Sequence, residues 1–177
     1  MRVEDFKTGF HAAAKPTLFK VYINFPGSTN EAKDVFFCMG ASVPSKTIGL
    51  LELSYMGRKI KYPGDTLFED WTVSIINDVN FTIRNKLEKW AELINGAKDN
   101  ISYVDPNVWK STAKVEHLNG EKQVIKTYNF IGIFPQSTGD PIDLRWDSND
   151  TPEEYSVTFA YDYFETDTTR GGMDAGS

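Results

Sequence analysis

Few residues in this chain could carry covalent or acid–base chemistry. Its 177 residues include two histidines, His11 and His117, and one thiol, Cys38. A structural zinc site draws on about four Cys or His ligands at characteristic spacings, and no such spacing occurs here. Cys38 sits in the apolar run FFCMG with no general base near it in sequence, which reads as an inert thiol. Glu116 precedes His117, but no Ser or Cys partner for a nucleophilic pair is indicated. Asp147, Asn149 and Asp150 imitate the start of a calcium loop. An EF-hand needs glycine at its sixth position, and Pro152 stands there, so an Asx-stabilised turn is expected instead. Glu153-Glu154 could be catalytic only with a second carboxylate placed across a sugar ring, which spacing does not reveal. Glycine-rich phosphate loops and a Gly-x-Ser-x-Gly elbow are missing from the sequence. Trp71, Trp90, Trp109 and Trp146 could line a sugar site, but Trp71 and Trp90 fall on core-facing periodicities. The chemistry predicts a protein that is not an enzyme and needs no cofactor or metal.

The elements around these residues are mostly strands. Phe19, Val21, Ile23 and Phe25 alternate with Lys20, Tyr22 and Asn24, as in a half-buried strand. PGSTNEAKD (26–34) is turn chemistry, and Val35–Ala41 reads as a second strand closing a hairpin on the first. Residues 42–64 read as a protruding hairpin or long loop. Ser42–Gly49 is irregular there, Leu51, Leu53 and Tyr55 alternate, Gly57 breaks the run, Arg58–Tyr62 returns, and Pro63-Gly64-Asp65 turns. Trp71–Asn77 is apolar on both sides, which suits an interior strand. Ile83, Leu87, Trp90, Ala91 and Ile94 then follow helical spacing, so one amphipathic helix is expected over about 79–95. Asp78 or Asn80 would cap its start and Gly96 its left-handed end. Residues 97–110 are loop-like. Asn119-Gly120 predicts a type I′ turn between Thr112–Leu118 and Lys122–Phe130. Ile131–Pro141 bends away, Ile142–Trp146 is a short strand and residues 147–154 turn. Tyr155–Glu165 is one long strand with Tyr155, Val157, Phe159, Tyr161 and Tyr163 on one face. Phe6 and Phe10 would share a face of a short N-terminal arm (1–15) that ends at Pro16. The expected fold is mainly β: an antiparallel β-barrel or sandwich with one flanking α-helix and one extended hairpin.

Composition is that of a globular chain, with 40% hydrophobic, 14% aromatic and 25% charged residues. Apolar runs fall far short of the roughly 20 residues of a membrane span, and the acidic N-terminus has no signal-peptide core. Net charge is −6, so sequence-independent gripping of nucleic acid is not expected.

Three blocks, in this order, make the chain resemble the tail tube proteins of contractile-tailed bacteriophages. They are KPTLFKVYI (15–23), ASVPSKTIG…YMGRKIKYPGDTLFEDWTVSIIND (41–78), and GIFPQSTGDPIDLRWDSNDTPEEYSVTFAYDYFE (132–165). The second block is the most specific, and the joint pattern carries the resemblance. It implies a single tube domain over 1–165; the C-terminal extension 166–177 departs from the family's usual end and, with no apolar anchor until Met173, reads as mobile in isolation. It implies a structural virion protein made in the host bacterial cytoplasm. Six copies would form a ring, and the rings would stack as the inner tail tube, a conduit for DNA ejection inside a contractile sheath. Its partners would be other copies of itself, the sheath protein, baseplate or hub proteins, and a tape-measure protein and DNA held loosely in the lumen, with no membrane anchor. Other readings are a tube subunit of a type VI-like secretion or phage-like injection system, or a monomeric β-sandwich ligand-binding domain.

Two residue sets acquire meaning through that resemblance. Lys46, Arg58, Lys59 and Lys61 form a basic cluster in an acidic protein, followed by Asp65, Glu69 and Asp70. By themselves these read as a solvated charge run on a self-contained hairpin. With the resemblance they set register between subunits or rings, while Leu51, Leu53 and Tyr55, beside Leu50 and Met56, supply apolar contact. Glu116, Glu121, Asp143 and Asp162 are candidate lumen carboxylates that would repel DNA phosphates; each alone reads equally well as a solvated side chain. The strands Lys20–Phe25 and Tyr155–Glu165 are candidates for the subunit boundary.

Overall fold

The computed structural model describes residues 18–27, 38–142 and 152–169. The strands are β1 (Phe19–Ile23), β2 (Cys38–Ala41), β3 (Lys46–Tyr55), β4 (Arg58–Phe68), β5 (Trp71–Ile76), β6 (Ser111–Leu118), β7 (Val124–Pro135), β8 (Glu154–Ala160) and β9 (Tyr163–Thr166). Helix α1 (Thr82–Ile94) follows β5, and the single turn α2 (Pro106–Trp109) precedes β6. Seven strands form one antiparallel sheet in the order β1-β6-β7-β8-β5-β2, with β9 also on β7. β3 and β4 pair only with each other.

Alternation decides which faces turn inward. β5 buries Trp71, Val73 and Ile75, and its neighbour β8 buries Tyr155, Val157 and Phe159. β1 and β6 bury Val21, Ile23, Ala113 and Val115, and all of these side chains meet in one core. Burying each large apolar side chain contributes about 1.5–3 kcal/mol. Trp71 stacks on Phe130 with ring centroids 4.3 Å apart, which joins the two halves of the sheet. Helix α1 lays Ile83, Leu87 and Trp90 on this core, as its periodicity predicts. The Trp90 ring meets Phe25 edge-on at 5.7 Å, and its indole N–H donates to the Trp109 carbonyl at 2.6 Å.

Several local expectations are corrected. β1 and β2 do not form a hairpin: β1 pairs with β6, and β2 pairs with β5. Pro63-Gly64-Asp65 is no turn but a bulge inside β4, where the register shifts opposite Gly49. Asp78 does cap α1, its carboxylate accepting from the Thr82 N–H at 2.6 Å and hydroxyl at 2.7 Å. At the other end the helix closes on Asn95 in extended geometry (φ −150, ψ 113), its N–H bonded to the Ala91 carbonyl, and Gly96 takes no left-handed conformation. The Asn119-Gly120 loop is longer than a two-residue turn. Asn119 Oδ1 accepts from the N–H groups of Glu121 (3.0 Å) and Gln123 (2.8 Å), and the positive φ falls on Lys122 (φ 63). An Asx turn has displaced the type I′ geometry there.

The long C-terminal strand is two strands. β8 ends at Ala160, residues 161–162 cross over, and β9 begins at Tyr163 on another stretch of β7. β8 is therefore interior, flanked by β5 and β7, and does not serve as an edge. Ile131–Pro141 does not simply bend away, since β7 continues through Gly132 (φ 69) to Pro135. The start of the 166–177 extension is tied down: the Thr127 N–H donates to Asp167 at 2.8 Å, and the Thr166 N–H to the Thr169 hydroxyl at 2.8 Å. The N-terminal arm, the strand proposed for Ile142–Trp146 beyond its first residue, and the extension after residue 169 lie outside the described residues.

Candidate assembly surface

The β3–β4 hairpin stands apart from the core. Its strands have ten and eleven residues, about 33 Å of extended chain. Met56 and Gly57, both at positive φ, close its tip. Directly paired residues share a face in an antiparallel ladder, so the register sorts the side chains. One face pairs Leu51 with Tyr62 and Leu53 with Ile60, ending at Tyr55 and Arg58. The other pairs Glu52 with Lys61 and Ser54 with Lys59. The apolar face is open: Leu51, Leu53, Tyr55, Ile60 and Tyr62 are all exposed, and Met56 at the tip is 87% exposed. Two-stranded hairpins in water are marginal unless something covers them. Contiguous apolar surface of this kind marks a contact site.

The root of this hairpin is anchored to the main sheet. The Trp71 indole N–H donates to the Ser42 carbonyl at 2.9 Å, and the Ser45 hydroxyl donates to Glu69 at 3.2 Å. Phe68 packs edge-on against Phe164, with centroids 5.6 Å apart, and against Tyr161. Burial raises the Tyr161 phenol above its ordinary range, and the nearby Asp70 and Glu69 add to this. Midway along, Gly49 and Gly64 face each other so closely that a Cβ on Gly49 would lie 3.1 Å from the Asp65 carbonyl.

The sequence-predicted residues divide between the two strands and the root. Leu51, Leu53, Tyr55, Arg58, Lys59 and Lys61 share the outer part of the hairpin. Lys46 and Asp65 lie nearer its base, and Glu69 and Asp70 link β4 to β5. The basic residues are partly answered within the hairpin. Lys59 Nζ lies 2.9 Å from Glu52, and Lys61 lies 4.0 Å from the same carboxylate. Arg58 has no ion-pair partner among the described residues. Glu52, Ile60 and Tyr62 were not singled out from the sequence. Their signal was available in the strand alternation once Leu51–Tyr55 was paired with Arg58–Tyr62.

The lumen candidates are not brought together. Glu116 is on β6 with Lys114 Nζ at 2.9 Å, and Glu121 is in the β6–β7 loop. Asp162 sits in the β8–β9 crossover with Lys110 Nζ at 2.6 Å. Asp143 lies outside the described residues. Among the described residues no group of three or more His, Cys, Asp or Glu could hold a metal ion, and no helix is long and apolar enough to cross a membrane.

The family described as phage tail tube protein matches residues 14–167. The chain belongs to the phage tail tube protein family. It is 32% identical over 168 residues to the tail tube protein gp19 of Enterobacteria phage T4, covering 93% of this chain and 100% of that protein. It is 27% identical over 156 residues to the tail tube protein of Serratia phage KSP90, covering 86% and 88% respectively. Two solved assemblies share this tail tube fold. A chain of the PVC extracellular contractile injection system, from its sheath–tube complex in the extended state, aligns with a TM-score of 0.65 at 15% identity, covering 94% of this chain and 97% of that one. A chain from the tube-terminating cap of the anti-feeding prophage aligns at 0.67 and 16% identity, covering 94% and 98%.

Proposed function

We propose that this tail tube protein closes into rings of six and that the rings stack as the inner tube of a contractile tail, the conduit through which DNA leaves the virion. The hairpin carries this reading. A tube-family chain that holds about 33 Å of apolar-faced ribbon out in solvent has a surface built for another copy. Leu51, Leu53 and Tyr55, with Ile60 and Tyr62, supply the contact. Lys46, Arg58, Lys59 and Lys61, with Asp65, Glu69 and Asp70, set its register. β1 has no neighbour on its outer side among the described residues, and neither has β2, so edge pairing between subunits has two candidate strands.

The role is structural, without catalysis. The chain would be made in the host cytoplasm and end in the virion, initiated on baseplate or hub proteins and surrounded by sheath. A tape-measure protein and then DNA would occupy the bore without tight binding. With Glu116 and Asp162 each paired to a lysine, the subunit's net charge of −6 acts on DNA as a whole, with Glu121 and Asp143 as contributors. A phage tail is preferred to an injection particle because the 32% identity is to a phage protein, against 15% for the injection-system chain. A monomeric binding domain would leave the hairpin uncovered.

Negative-stain electron microscopy of the purified protein across a concentration series, with and without a baseplate template, tests the proposal. Uniform rings or hollow tubes are expected. Single small particles under every condition, template included, would overturn it.

A further inference from the structure

The tip of the β3–β4 hairpin and the far end of β5 and β8 carry opposite charge. β2 runs into the hairpin after Ala41 and β5 leaves it at Trp71, so the basic ribbon is rooted at one end. At the other end β5 finishes at Ile76, opposite Glu154. Four carboxylates collect there. The Asn77 N–H donates to the Glu153 carbonyl at 2.8 Å and the Asn77 side chain to the Glu153 carboxylate at 2.9 Å; Asp78 is the next residue. The Asp140 N–H donates to the Ser156 carbonyl at 3.0 Å, which sets Asp140 beside the start of β8. Asp140 and Glu154 are exposed. Among the described residues Arg84 stands beside the start of β8, over the Tyr155 ring, and is engaged with Glu88 at 3.4 Å. The same end exposes apolar surface: Val79 is 97% exposed, and Phe81, held at φ 52, is 41% exposed.

Resting on the tube reading, we propose that this acidic end is the receptor for the hairpin tip of a second copy of the chain. Arg58, Lys59 and Lys61 meet Asp78, Asp140, Glu153 and Glu154, while Tyr55 and Met56 cover Val79 and Phe81. Each chain then offers a donor at one end and a receptor at the other. Such a contact is heterologous and propagates as an open stack instead of closing as a two-fold dimer. It also explains how rings of like net charge approach: the basic hairpin tip and the acidic far end of β5 and β8 are separate surfaces, so opposite signs face each other across the ring boundary.

Two variants test this. The tip variant is Arg58→Glu, Lys59→Glu, Lys61→Glu with Glu52→Lys, so that the ion pairs within the hairpin persist with reversed sign. The end variant is Asp140→Lys, Glu153→Gln, Glu154→Lys, which keeps an acceptor for Asn77. Each alone is expected to sediment as tubes about tenfold less than the parent, with unchanged circular dichroism. A one-to-one mixture is expected to recover tubes, because every tip then finds an end of opposite charge. An end variant that polymerises like the parent, or a mixture that stays dispersed although both proteins are folded, would overturn the receptor assignment while leaving the tube reading intact. Failure of the parent itself to form tubes, with a baseplate template present, would overturn the tube reading. If either charge variant misfolds, Met56→Cys with Val79→Cys in a Cys38→Ser chain decides: oxidation should yield a covalent ladder of multimers, and monomer alone would refute the contact.

Discussion

Asp162 occupies the space that a side chain on Gly132 would need. A Cβ built on Gly132 would overlap the Asp162 carboxylate, and Gly132 itself stands at φ 69. The Asp162 N–H donates to the Ile131 carbonyl at 3.0 Å, and its carboxylate is gripped by Lys110 at 2.6 and 2.7 Å. This is where the chain leaves β8 and joins β9 on the same edge of β7. A left-handed glycine and a short acidic side chain let the two strands share that edge.

Gly132→Ala should therefore destabilise the monomer by about 2–3 kcal/mol, from the left-handed backbone and the displaced carboxylate together. Lys110→Met, which removes a partly exposed ion pair, should cost less than about 1 kcal/mol. Urea unfolding of both variants checks the ranking. Equal losses would mean that the ion pair, and not the glycine, holds the crossover.

Gly49→Ala brings a Cβ to 3.1 Å from the Asp65 carbonyl, backbone against side chain, at the bulge of the hairpin. Its strain of about 1–2 kcal/mol falls on an element outside the core. Tube formation should fall while the main unfolding transition stays in place. A matching drop in the melting temperature would show that the hairpin folds as part of the core.

Leu51→Ser with Leu53→Ser removes two members of the exposed stripe. Each leucine is about half exposed in the free monomer, so covering the remainder by another copy would contribute roughly half of the 1.5–3 kcal/mol of full burial. Light scattering should report assembly weakened by at least about tenfold, with the circular dichroism of the monomer unaltered. Normal assembly would remove the apolar face from the interface.

Burial pushes the Tyr155 phenol up to about 12, with its ring under the Arg84 guanidinium. The raised value means that the folded state keeps the proton while an unfolded tyrosine, with a pKa near 10, loses it. Stability from this group is therefore complete below pH 10 and is lost as pH rises from 10 to about 12, on the order of 2 kcal/mol in all. Alkaline unfolding curves of the parent should slope more steeply over that window than those of Tyr155→Phe. Identical slopes would show that Tyr155 ionises equally in both states.

Much of this could be read from local patterns. The alternation in Trp71–Ile76 and the 3.6-residue spacing of Ile83, Leu87 and Trp90 named core residues that are buried. The same kind of pattern in Leu51–Tyr55 and Arg58–Tyr62 named the hairpin. The Asn119 loop was misread because side-chain capping of two N–H groups competes with glycine's backbone freedom, and dipeptide preference does not show which prevails. The acidic end was overlooked because Asp78, Asp140 and the Glu153-Glu154 pair are far apart in the chain.

By itself, then, the sequence determined which residues turn inward, where the helix lies, that an apolar ribbon projects, and which family the chain resembles. Periodicity records the face of an element, and burial follows the face. Only the tertiary structure decided which strand pairs with which: β1 with β6, β2 with β5, and β8 and β9 on successive stretches of β7. Strand partners are chosen by packing between residues distant in sequence, as with Trp71 on Phe130, and no local pattern encodes that choice. The separation of the basic hairpin tip from the acidic far end of β5 and β8 follows from the same pairing.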